Sequence, residues 1–156
     1  VTIRLASGGY IGGGLYHSQN IEGWLTTLPG IRVVVPAFAD DAAGLLRTAM
    51  RSEGPTLYLE PIFLYNSKLA YAPIPDNFAV PFGKAKIRKS GEDLTVLAYG
   101  TAVHFALEAA QVLESEGYSI EVIDLRSLSP LDEETILQSI EKTHRVVIAH
   151  EDKGED

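Results

Sequence analysis

The feature that most constrains the fold is an alternation in which short β-branched or apolar runs are separated by segments of helical period. Ile31 to Val35 is a β-branched run suited to a buried strand, Thr56 to Leu59 is a second apolar run, and Val1 to Arg4 a third. Between them Ile21, Trp24, Leu25 and Leu28 recur at helical spacing and stop at Pro29-Gly30. Ala42, Leu45, Leu46, Ala49 and Met50 then follow on one helical face behind Asp40 and Asp41, whose charge suits a helix N-terminus, and Gly54-Pro55 ends that segment. Residues 1–61 therefore read strand, helix, strand, helix, strand.

The pattern recurs after a break. Residues 62–93 hold Pro73, Pro75 and Pro81 and the basic cluster Lys84, Lys86, Arg88 and Lys89, with little periodicity, which predicts a connector and a boundary near Ser90. Beyond it Leu94 to Ala98 predicts a strand, and Val103, Ala106, Leu107, Ala110 and Leu113 a helix ending at Gly117. Glu121 to Asp124 predicts another strand. Ser129, with Asp132 three residues on, reads as a capping box for a helix that turns Ile136, Leu137 and Ile140 inward, before a strand at Val146 to Ala149. Such alternation implies an α/β fold of parallel sheets with right-handed crossovers and helices on both faces. The boundary near Ser90 separates two such units.

Charge narrows the functions open to this fold. Thirteen Lys+Arg against 21 Asp+Glu give a net charge of −8, which disfavours unaided binding to nucleic acid or to anionic membranes. The longest apolar stretch, Val33 to Ala39, is interrupted by Pro36 and falls far short of the roughly 20 residues of a membrane span. With no cysteine there are no disulfides, thiolate nucleophiles or Cys-ligated zinc. Residues 1–61 carry four basic and five acidic groups, 62–90 five and one, and 91–156 four and fifteen, so the acidity belongs to the last third. The lack of an initiator Met and the polar ending Glu151 to Asp156 read as an excised piece.

Candidate chemistry concentrates after the first strand. Gly8, Gly9, Gly12, Gly13 and Gly14 form a loop open to unusual dihedrals, but no placement satisfies G-x-G-x-x-G, and Gly14 and Leu15 stand where a phosphate loop needs Lys. His17-Ser18-Gln19 follows: an imidazole titrating near neutrality, delivered by irregular backbone, is suited either to proton transfer or to a structural hydrogen bond. His104 opens a helix, where packing or exposure is the expected role. His144 and His150 lie six apart across a predicted strand, on one face, with Glu151 and Asp152 nearby, but match no standard metal spacing. Glu108, Glu114, Glu116, Glu133, Glu134 and Glu141 fall on solvated helix faces, and no G-x-S-x-G elbow occurs.

Three blocks together are specific: GGGLYHSQNIEGWLTTLPGIRVVVPAFADDAAGLL at 12–46, PTLYLEP at 55–61, and DLTVLAYGTAVHFALEAA with EVIDLRSLSPLDEETI within 93–136. They resemble the beta subunit of thiamine-diphosphate-dependent 2-oxo acid dehydrogenases, through to about His150. The resemblance implies the second half of a transketolase-like pyrimidine-binding domain over 1–80, a linker over 81–90 and the first half of a transketolase C-terminal-like domain over 91–156.

It implies further that His17 is catalytic, handling protons above the cofactor's reactive carbon and orienting the lipoyl ring, with Ser18 and Gln19 in support. The reaction would be oxidative decarboxylation of a 2-oxo acid with acyl transfer to lipoyl-lysine of an acyltransferase core. Thiamine diphosphate and its magnesium would be shared with an alpha subunit in an alpha2-beta2 heterotetramer, and the glutamate that activates the cofactor would precede Val1, so the fragment alone would be inactive. Some members hold a structural potassium through main-chain oxygens matching Val1, Thr2, Ala49, Ser52 and Gly54. Gln19, where pyruvate enzymes carry an acidic residue, favours a branched-chain 2-oxo acid such as 2-oxoisovalerate, with pyruvate next. A transketolase-like or deoxyxylulose-phosphate-synthase-like enzyme shares both domains. An assembly module is a further alternative, in which the acidic unit contacts a second beta subunit and the acyltransferase core. The family points to the bacterial cytoplasm, or to the mitochondrial matrix in a eukaryote.

Overall fold

The computed structural model describes residues 1–14 and 18–152. The first sheet holds β1 (Thr2–Ser7), β2 (Arg32–Val34) and β3 (Thr56–Pro61), mutually parallel in the order β1-β3-β2. Leu57 pairs with Ile3 on one side and Val33 on the other. The second sheet holds β4 (Lys86–Lys89), β5 (Leu94–Ala98) and β6 (Ile120–Asp124); β7 (Ser127–Ser129) then crosses back to pair antiparallel with β2, and β8 (Val146–Ala149) closes the second sheet in the order β4-β6-β5-β8. Only β4 runs antiparallel in that sheet.

Strand alternation places helices on both faces of each sheet. In the first, Val33, Val35, Leu57 and Leu59 meet Leu25 of α1 (Glu22–Thr26), while Val34 and Tyr58 meet Leu45 of α2 (Ala39–Arg51). In the second, Ala98 and Val122 meet Val103, Ala106 and Ala110 of α3 (Thr101–Ser115), while Leu97 and Ile123 meet Ile136 of α4 (Glu133–Thr143). Leu128 and Tyr99 pack against clusters of both sheets, so the two cores are continuous.

Several local expectations are corrected. Part of the supposed connector, Lys86–Lys89, is strand β4, a short edge strand whose alternating charges hide its pairing. Asp132, not Ser129, caps α4: its Oδ1 accepts from the Thr135 amide at 3.4 Å, whereas Ser129 lies in β7 and donates its hydroxyl to the Ile31 carbonyl at 3.1 Å. Leu137, Trp24 and Met50 are exposed, because the apolar stripes of their helices are narrower than their spacing suggested. His144 is the left-handed cap of α4, with φ 56°, so strand alternation does not relate it to His150. Among the described residues no three His, Asp or Glu side chains are grouped to hold a metal ion, and no helix is long and apolar enough to cross a membrane.

The basic cluster is consumed internally. Arg88 bonds Asp41 of α2 and, through Nη2 at 2.7 Å and Nε at 3.1 Å, Asp124 of β6. Arg126 donates to Asp41 Oδ1 at 2.9 Å and to the carbonyls of Lys84 and Ala85 at 2.9 and 3.0 Å. Asp41 and Asp124 are fully buried, and this quartet ties the two units together. Burial pushes the Asp124 carboxyl up to about 6, against the pull of Arg88.

His104 is buried at the same junction, where Nε2–H donates to the Ala37 carbonyl at 2.8 Å and the ring lies 4.6 Å from that of Phe38. Burial holds its pKa below the ordinary value. The folded chain therefore binds this proton less tightly than the unfolded chain, and the stability His104 confers is full above about pH 6.5 and lost as pH falls below it. The urea midpoint is expected to drop between about pH 7.5 and about pH 5.5, and His104→Gln, whose amide can still donate to Ala37, should remove part of that drop. An unchanged pH response in the variant would refute the assignment.

Candidate active-site loop

The candidate site lies at the carboxyl end of the first parallel sheet, the usual ligand position in open α/β folds. β1 ends at Ser7 and the chain enters the glycine loop, which takes left-handed dihedrals at Gly8 (φ 91°), Tyr10 (72°), Gly12 (64°) and Gly14 (68°). The Gly8 amide donates to the Gln19 carbonyl at 3.0 Å, closing the loop at its root. A Cβ on Gly8 would meet no backbone, so the positive φ is the reason for glycine there.

His17, with Leu15 and Tyr16, lies outside the described residues. Ser18 is half-buried, and its Oγ is buried with no hydrogen-bond partner; Gln19 is exposed. Next on the chain is a residue that the sequence reading passed over. Glu22 opens α1 and is only 2% exposed. Its Oε1 accepts from Ser7 Oγ at 2.6 Å, with Asn20 Nδ2 3.5 Å away, and the Glu22 and Ile21 amides also bond the carboxyl. Burial raises its pKa, with the Ser7 hydrogen bond acting in the opposite direction. The available signal was its place three residues before Leu25, on the buried face of the helix.

The second unit supplies the opposite wall. Tyr99 follows β5, and Gly100 caps α3 with φ 55° and no side-chain cap. Asp152 accepts from the Gly23 amide in the first turn of α1. A bond to Glu151 raises the pKa of Tyr10, whose ring also packs 4.9 Å from Phe63 and 6.3 Å from Phe105. Burial and then Glu22 raise the pKa of Tyr99, which stacks 6.2 Å from His150. The loop root is thus a junction of both units.

Neither the cavity at the loop root nor the one between α2 and β3 is a cradle for thiamine diphosphate. The cavity between Glu22, Tyr99 and Thr101 measures about 10 Å³, room for a single water. A larger cavity of about 360 Å³, between α2 and β3, is lined mainly by apolar groups; at its edge Glu60 accepts from Arg4 and, at 2.5 Å, from the Tyr65 hydroxyl, leaving no cluster of free cations for a diphosphate. Of the main-chain oxygens suggested for potassium, that of Val1 accepts from Thr56 at 2.9 Å, that of Gly54 from the Val1 amino group at 3.0 Å, and that of Ala49 from Ser52 at 3.3 Å. Each keeps one lone pair for a cation.

The paired α/β units have the transketolase-type architecture, and each belongs to a transketolase domain family. Residues 1–68 match the transketolase pyrimidine binding domain and residues 83–154 the transketolase C-terminal domain. The chain is 42% identical over 156 residues to the 2-oxoisovalerate dehydrogenase subunit beta of Bacillus subtilis, covering 99% of this chain and 47% of that protein. It is 42% identical over 151 residues to the pyruvate dehydrogenase E1 component subunit beta of Staphylococcus aureus (strain Mu50), covering 97% of this chain and 46% of that one. It thus spans about half the length of the curated relatives it matches. A solved split-gene transketolase, an inactive beta4 tetramer, superposes with a TM-score of 0.80 at 29% identity, over 97% of this chain and 48% of that one.

Proposed function

We propose that the protein carrying this chain is the beta subunit of a thiamine-diphosphate-dependent 2-oxo acid dehydrogenase. It would decarboxylate a branched-chain 2-oxo acid oxidatively and pass the acyl group to lipoyl-lysine of an acyltransferase core. The observation that carries this reading is the 42% identity running across 99% of the chain, through both domains, to a subunit of that kind. Gln19 after the His-Ser pair favours the branched-chain substrate. Pyruvate is the second reading, supported by equal identity to the pyruvate dehydrogenase subunit.

In this reading bound thiamine diphosphate supplies the electron sink for decarboxylation. His17 holds and delivers protons during acyl transfer and orients the lipoyl ring, with Ser18 and Gln19 beside it. An alpha subunit holds the diphosphate and magnesium in an alpha2-beta2 assembly, and a potassium ion at the Val1, Thr2, Ala49, Ser52 and Gly54 carbonyls stabilises the pyrimidine-binding domain. The second beta subunit and the acyltransferase core meet the C-terminal domain. Its exposed glutamates on α3 and α4 would steer that encounter, although Glu121, Asp124 and Asp132 are buried and add nothing to such a face. The bacterial cytoplasm is the proposed compartment.

Acceptor choice tests the reading. The full-length beta subunit assembled with its alpha partner is expected to acylate a lipoyl domain at the expense of 2-oxoisovalerate, faster than with pyruvate, and to transfer nothing to an aldose phosphate. Transfer to the aldose phosphate alone would make the protein a transketolase-like enzyme.

A further inference from the structure

The first turn of α1 is completed from the other unit. Ile21, at its N-cap position, has no side-chain acceptor, and the Glu22 carboxyl takes the Ile21 and Glu22 amides. The next amide, that of Gly23, bonds Asp152, which lies just past β8 and 129 positions along the chain. Gly23 is what admits that side chain: a Cβ there would lie 2.8 Å from Asp152 Oδ2, closer than Cβ contacts come. Glu151 makes a second contact, accepting from the Tyr10 hydroxyl. Tyr10 stands in the glycine loop with φ 72°, a left-handed conformation that its Cβ disfavours and that glycine would adopt without strain. What the tyrosine adds is reach, since its ring packs 4.9 Å from Phe63 and 6.3 Å from Phe105 of α3 while most of the residue stays exposed. His150, before Glu151, stacks 6.2 Å from Tyr99.

We propose that residues 150–152 form an inter-unit clamp on the glycine loop: Asp152 holds the helix that follows the loop, Glu151 holds Tyr10 within it, and His150 seats the clamp on Tyr99. The order of residues 8–14 in the first unit thereby depends on the second unit. Asp152 acts on Tyr10 through Glu151, because the Asp152–Gly23 bond keeps this stretch of chain beside the loop. The Asp152 charge opposes that of Glu22, so the clamp holds against a standing repulsion and can release.

Chymotrypsin cleavage of the 156-residue chain after Tyr10, followed by mass spectrometry, reads the clamp, because the cleavage rate tracks the population of opened loop. Cleavage after Tyr71, 80% exposed and outside the clamp, is the internal reference. Asp152→Ala is expected to speed cleavage after Tyr10 about fivefold, the effect of losing a helix cap, and to leave Tyr71 unchanged. Asp152→Asn, whose amide oxygen still accepts from Gly23, should stay within about twofold of the parent. Glu151→Ala should speed cleavage after Tyr10 about threefold through the lost hydrogen bond. Gly23→Ala separates the clamp from local helix strength: alanine is the better helix former and would steady α1, whereas a displaced Asp152 should speed cleavage after Tyr10 about threefold. Should Asp152→Ala fail to fold, Glu151→Ala takes its place in the comparison with Tyr71. A rate after Tyr10 within about twofold of the parent in D152A, or in E151A where it stands in, would overturn the proposal, as would rates that rise equally after Tyr10 and Tyr71.

Discussion

Replacing Asp41 by Ala is expected to destabilise the chain by about 3–5 kcal/mol, because it leaves two guanidinium groups buried beside an empty position. Arg88 and Arg126 both bond its carboxylate, and neither can lose its charge or turn to solvent from a site where Asp41 and Asp124 are wholly buried. The quartet also bridges the units, since Asp41 belongs to α2 of the first and Arg88 and Asp124 to β4 and β6 of the second. Arg88 lies 4.0 Å over the Phe38 ring as well, so its disturbance would reach the His104–Phe38 contact. Guanidinium unfolding is expected to show the loss as one cooperative shift; a change under about 1 kcal/mol would mean that Asp124 alone balances both cations.

These residues show where the sequence was readable. The alternation of apolar runs with helical spacings revealed the α/β class and the strands at 31–35, 56–59, 94–98, 121–124 and 146–149, because parallel strands write themselves as β-branched runs, even at the exposed β8. It did not reveal β4 or β7. Lys86–Lys89 and Ser127–Ser129 are short, polar pieces whose pairing depends on partners 33 or more residues away, such as Asp124 opposite Lys86 and Val33 opposite Ser129. A local window holds no trace of such contacts. The basic cluster around Arg88 likewise looked like a solvated connector, since counting charge cannot say that it faces Asp41 and Asp124. At the candidate site, the glycines and His17-Ser18-Gln19 stood out by residue type. Glu22 did not, because a glutamate at a helix start is ordinary until its burial and its partners are known.

The largest functional effect is expected at His17. In the full-length subunit assembled with its alpha partner, His17→Ala should lower the rate of lipoyl acylation about 100- to 10,000-fold, the range for removing a group that transfers protons in the rate-limiting step. KM for the 2-oxo acid should change little, because an imidazole that acts during transfer contributes little to ground-state binding. Chain folding should be unaffected, since the described residues on either side are joined by the Gly8–Gln19 and Ser7–Glu22 bonds. Single-turnover transfer from 2-oxoisovalerate to a lipoyl domain, compared between the parent assembly and its His17→Ala form, tests the central claim most directly. The account predicts rapid acylation by the parent and a loss of at least about 100-fold in the variant. Equal rates in the two, or no 2-oxo acid-dependent acylation by the parent, would contradict it.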